Sequence, residues 1–129
     1  MGELARWLGE QLDTDEGEAR RGYLKAEPPP DYDGWDKSTV AGLPPVVAAR
    51  VLREIDAKRR VIATYIKAVE RMEELASLCE RLKAEGKDTF MPEMDRATAI
   101  HRRDVLHETL QVLSLPYADR PGYREEWRP

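Results

Sequence analysis

Three side chains supply all the histidine and cysteine chemistry available to this sequence: Cys79, His101 and His107. A structural zinc site needs four nitrogen or sulfur ligands converging on one tetrahedron. The two histidines stand six residues apart, which puts them about 120° apart around a helix and out of reach of one ion. His101 instead falls on an apolar stripe as a core histidine, and Cys79 reads as a small buried hydrophobe. No metal and no cofactor is expected. Acid–base chemistry fares the same way. The 25 Asp and Glu residues are scattered among 21 Lys and Arg residues, and many acids are matched by a cation one helical turn later. Glu54 with Lys58 and Asp56 with Arg60 have the favourable order for helix pairs, each worth about 0.2–0.5 kcal/mol. A solvated face explains them. No glycine-rich phosphate loop and no nucleophile motif is present, so the chain is expected not to be an enzyme.

A basic ridge is the remaining chemical feature. Arg50, Arg53, Arg60, Lys67 and Arg71 fall within an arc of about 100° on one helix, away from its apolar stripe. Such a ridge suits a phosphate backbone or an acidic protein partner. It is interleaved with Asp56 and Glu74, which argues for a solvated face over either partner.

These residues must be positioned by helices. Residues 2–22 place Leu4, Leu8, Leu12 and Ala19 near one face with Trp7 beside them. Gly17 costs about 1 kcal/mol in a helix interior, so this segment is expected to be a short helix that needs a partner surface. Residues 24–45, with Pro28-Pro29-Pro30 and Gly42-Leu43-Pro44-Pro45, form an irregular connection because proline restrains itself and the residue before it. Tyr32 and Trp35 are candidates to pin it. No Gly or Pro interrupts the chain between Pro45 and Gly86, which predicts one helix spanning on the order of 60 Å. Its apolar positions follow two heptad sets: Ala48, Ile55, Ile62, Val69 and Ala76, then Val51, Lys58, Tyr65, Met72 and Cys79. A stripe of this period is covered by partner helices or by a second copy of the chain. Lys58 and the small alanines favour antiparallel packing in a bundle. A third helix is expected over about Glu93 to Leu115, folded back antiparallel. Its first half carries the stripe Met94, Ala97, His101 and Val105. Its second half, through Val105, Leu106, Leu110, Val112 and Leu113, reads as buried on more than one side.

Composition sets the class. A chain of 129 residues supports one domain, and 41% hydrophobic with 36% charged residues suits amphipathic helices better than a thick sheet core. A net charge of −4 argues against a general nucleic-acid binder. A single cysteine cannot form an internal disulfide, which fits a reducing cytoplasm, and no run of roughly 20 apolar residues suggests a membrane span.

Beyond Pro116 the chain is expected to run extended, because proline ends the helix. Tyr117 and Tyr123 should dock near Leu106, Leu110 and Leu113, with Trp127 as an anchor for a second chain. The run from Val112 to Pro129, VLSLPYADRPGYREEWRP, resembles the ending of small actinobacterial proteins of domain-of-unknown-function family 6221. The block Val51 to Arg60 and the acidic stretch Leu12 to Glu16 are similar to that family too. The resemblance implies a bacterial or phage origin and brings no activity and no site residue.

The fold expected is therefore all-α and a single domain: a long central helix, an antiparallel C-terminal helix, a short N-terminal helix, and an aromatic tail over 116–129. The function expected is that of a non-catalytic interaction or assembly protein, binding another protein or itself through Tyr65, Val69, Met72, Tyr117, Tyr123 and Trp127. A small regulatory protein touching nucleic acid through the ridge is the alternative.

Overall fold

A computed structural model describes residues 2–21 and 45–129. The connection between them, with Tyr32 and Trp35, lies outside the described residues. Three helices, α1 (Glu3–Arg21), α2 (Pro45–Ala84) and α3 (Phe90–Ser114), precede two short 3-10 turns, and no strand occurs among the described residues. The fold is all-α.

The first helix runs through Gly17 without a break. Leu4, Ala5, Trp7, Leu8, Leu12 and Ala19 are all buried, and that burial outweighs the cost of one glycine. The segment found the partner surface it needs on α2.

α2 is a single helix of 40 residues. Proline at its first position lacks only an N–H that no helix start would use. Its C-terminus closes in a Schellman motif: Gly86 takes φ +66°, the Lys87 N–H donates to the Leu82 carbonyl at 2.9 Å, and the Gly86 N–H donates to the Lys83 carbonyl at 3.1 Å. This turn reverses the chain. The helices then run antiparallel, as the pairs Lys83–Glu93, Met72–Arg103, Tyr65–His107 and Lys58–Tyr117 show in sequence.

α3 begins at Phe90, three residues before the expected start. The Asp88 carboxylate accepts the Phe90 N–H at 3.0 Å, and Pro92 is tolerated within the first turn, where its missing donor has no partner to lose.

Both heptad sets of α2 face inward. Ile55, Ile62, Tyr65 and Cys79 are buried, as are Ala68 and Leu75, which those sets did not include. Lys58 does not break the seam. Its ammonium donates to the Tyr117 hydroxyl at 3.0 Å while its stem lies along apolar surface. The main core joins Leu4, Trp7, Leu8 and Leu12 of α1 to Ile55, Ile62 and Tyr65 of α2, Leu110 of α3, and Tyr117 and Trp127 of the tail.

The tail is folded, not extended. Leu115–Tyr117 and Glu125–Trp127 are 3-10 turns, and Gly122 bends the chain between them at φ +87°. The reason is α1. Its Trp7 indole N–H donates to the Pro121 carbonyl at 3.1 Å, and its ring lies 5.6 Å from Tyr123 and 5.5 Å from Trp127. Tyr123 and Trp127 meet edge to face at 5.8 Å. Two ion pairs accompany the arrangement, the partly buried Arg120–Asp15 at 2.8 Å and the more exposed Arg124–Glu3 at 2.6 Å.

Candidate functional site

α3 is apolar on two opposite sides, and among the described residues only one of them packs on the core. Ala99, Leu110 and Ser114 are buried, with Leu106 and Leu113 packed on the core. On the far side, Phe90, Met94, Ala97, His101, Val105 and Val112 fall within an arc of about 80° that points away from that core. All six are exposed, with Phe90 at 62%, Met94 at 55%, Val105 at 48% and Val112 at 56%. The stripe Met94, Ala97, His101 and Val105, expected to be core, is therefore surface, and His101 is not a core histidine. Val105 and Val112 likewise leave the second half of α3 buried on one side only. The reversal has a simple cause. Periodicity marks both faces, and the Leu106–Leu110–Leu113 side wins the core because leucines fill more volume than Ala97 and His101 can.

The expected interaction residues lie elsewhere. Tyr65 is 2% exposed, its ring 6.1 Å from that of His107, and burial pushes its hydroxyl pKa up. Val69 is half-buried against the main core. Met72 is half-buried, with its sulfur 3.3 Å from an Arg103 guanidinium nitrogen. Tyr117 lies at 6% exposure between two cations, with the Lys58 ammonium 5.1 Å and the Arg120 guanidinium 4.7 Å from its ring centre. Tyr123 is half-buried and Trp127 buried in the ring cluster on Trp7. Tyr65, Tyr117 and Trp127 are thus spent inside this chain, and Trp127 finds its anchor site on α1.

The ridge Arg50, Arg53, Arg60, Lys67 and Arg71 is exposed throughout, and it carries local counter-charges. Arg50 meets Glu54 at 3.2 Å, Arg60 meets Asp56 at 3.0 Å, and Arg71 meets Glu74 at 3.6 Å. Glu54 therefore pairs with Arg50, not with Lys58, which is committed to Tyr117. Such exposed pairs contribute little to stability.

One polar cluster crosses between helices. Arg59 of α2 reaches Asp13 at 2.6 Å and also bonds Glu16 of α1. Hydrogen bonds from Arg59 and then Arg20 hold the Glu16 carboxyl below its ordinary range, and the Asp13 and Glu16 carboxylates raise the Arg59 pKa. In the tail, the Arg128 hydrogen bond lowers the Glu125 pKa in the same way. No group of three or more His, Cys, Asp or Glu side chains is placed to hold a metal among the described residues, and no described helix is long and apolar enough to cross a membrane.

The whole chain, residues 1–129, matches the family of unknown function DUF6221. It belongs to that family. The match includes residues 63–111, beyond the blocks that carry the resemblance in the sequence. No curated protein and no solved structure matches the chain.

Proposed function

We propose that this DUF6221 protein is a non-catalytic interaction protein that self-associates through the outward stripe of α3. One observation carries the reading: Phe90, Met94, Val105 and Val112 form an apolar line about 33 Å long on a helix whose opposite face is already buried. Scattered surface hydrophobes are ordinary, whereas these share one helical face, interrupted by His101 and by the exposed Glu108 between Val105 and Val112. The long helix then serves as the scaffold, because α1, α3 and the tail cover its heptads. Helix against helix, two copies of the stripe would bury on the order of 600 Å² in total, below the roughly 1,200 Å² of a standard interface, so the association is weak and readily reversible. A two-fold pairing of identical faces is the simplest closed arrangement. A bacterial or phage setting belongs to the same proposal and rests on the family resemblance in the tail.

Light scattering across a concentration series, at low and at high salt, tests the reading. A reversible dimer that persists at high salt is expected, since apolar association survives screening. A strictly monomeric mass at every concentration contradicts it. The nucleic-acid alternative, by contrast, requires affinity that falls steeply with salt, and the carboxylates along the ridge weaken its case.

A further inference from the structure

The hairpin of α2 and α3 has a second side feature that the stripe does not use. An open, solvent-facing cleft of about 560 Å³ lies between the helices. Its floor is Ala68 and Ala99, 5% and 7% exposed, and two such small residues let the backbones approach closely. Its walls carry Lys67 and Arg71 from α2, Arg102 from α3, the hydroxyls Thr64 and Thr98, and one acid, Asp95. The antiparallel register brings them together. Lys67 and Arg71 are the last two cations of the ridge, and Arg102 meets them from a helix 31 residues further along the chain than Arg71.

The chemistry of the walls is divided. Three cations stand against one carboxylate, and Arg71 meets Glu74 only at 3.6 Å, both side chains more than half exposed, so a multivalent anion competes with that contact easily. The threonine hydroxyls donate back to their own helices, Thr64 to the Arg60 carbonyl at 2.8 Å and Thr98 to the Met94 carbonyl at 3.2 Å. Each leaves oxygen lone pairs for the cleft, so these groups accept there and do not donate. A bare phosphate would satisfy the cations alone. A ligand that combines phosphate with hydroxyl or amine donors satisfies both halves.

We infer that the cleft formed by Lys67, Arg71, Arg102, Thr64, Thr98 and Asp95 binds a small phosphorylated molecule bearing hydroxyl or amine donors, of the nucleotide type. The cleft shares no residue with the outward stripe, so its failure and the failure of self-association are separable. Calorimetric titration of the full-length protein with ATP, pyrophosphate and inorganic phosphate at fixed ionic strength tests it. ATP is expected to bind more tightly than pyrophosphate, and pyrophosphate more tightly than phosphate. Arg102→Ala should weaken ATP by about tenfold or more, the loss of one charge-assisted contact. Arg53→Ala, an exposed cation on α2 outside the cleft, should leave binding unchanged. Both arginines are exposed, so circular dichroism should show both variants folded. Absence of binding by all three probes overturns the inference. So does an equal loss in Arg53→Ala and Arg102→Ala, which marks diffuse attraction, and so does duplex DNA binding that outcompetes ATP, which marks the ridge.

Discussion

The two ends of the α2–α3 hairpin are built differently. At the base, α1 and the tail add a third and a fourth partner, and Leu8, Leu12 and Leu110 are wholly buried. The elements there are tied by Arg59 to α1, by Lys58 to Tyr117, and by Arg120 and Arg124 back to Asp15 and Glu3. In the arm, the described residues of α2 and α3 have only each other. Leu75, Cys79 and Ala99 are buried there, outside the main core, while Phe90, Met91 and Met94 stand more than half exposed. Stability is concentrated at the base, while the outward face of α3 stays exposed in both regions, from Phe90 in the arm to Val112 at the base. A helix that had to be buried on both sides could not offer one of them.

Removing the tail should break the comparison most severely. Deleting residues 116–129 strips Tyr117 and Trp127 from the core and uncovers Trp7, and at roughly 1.5–3 kcal/mol per buried ring the loss is about 3–6 kcal/mol. Thermal unfolding should show a Tm lowered by well over ten degrees on the order expected for a small domain. An unchanged Tm would make the tail a mere tether.

A matched pair of truncations sharpens the contrast. Leu8→Ala opens a cavity hemmed in by three elements and should cost about 4 kcal/mol. Leu75→Ala lies where two helices can close up, and should cost nearer 2 kcal/mol. Urea titration of both variants checks the order, and equal costs would remove the distinction between base and arm.

Gly122→Ala probes one contact of the base. A Cβ there would lie 2.8 Å from the Trp7 indole nitrogen, at a φ of +87° that side chains resist. About 1–3 kcal/mol should be lost, with the tryptophan fluorescence altered because the ring cluster must shift.

How much of this was legible in the sequence depends on the range of the interactions. The α1 and α2 spans follow from local signals: the Leu4–Leu8–Leu12 spacing, and the uninterrupted run between Pro45 and Gly86. Burial of Cys79 and the inward heptads follow from the same periodicity. Tyr117 docks beside Leu106, Leu110 and Leu113 as the sequence suggests, but the tail's turns differ from an extended run because its compactness is not local. Gly122 and Pro121 are shaped by Trp7, more than a hundred residues away, and nothing near them in sequence says so. The faces of α3 were exchanged for a different reason. Both are apolar, and spacing alone does not rank Leu110 above Val105. The cleft needed the register of the hairpin, since Arg102 joins Lys67 and Arg71 only once the helices are aligned.

The smallest effect expected is electrostatic. The folded-state pKa of Glu16 lies below its ordinary value of 4.5, so its contribution is fully present above that value and fades as pH falls through the lowered one. Glu16→Gln should therefore be less stable than the parent at neutral pH, with the gap narrowing as pH falls below the ordinary carboxyl value of 4.5. Chemical denaturation at several pH values reads it. A gap independent of pH would mean that the Arg59 and Arg20 contacts carry no linkage.

The most direct measurement of the account is the solution mass of Val105→Asp beside the parent protein at matched, high concentration. Val105 is 48% exposed and touches no part of the main core, so the substitution should leave Tm within about a degree or two and place a charge in the middle of the proposed interface. The parent should sediment as a reversible dimer and Val105→Asp as a monomer. A parent that is monomeric throughout, or a variant that dimerises as well as the parent, would contradict the assignment of the outward face of α3 as the interaction surface.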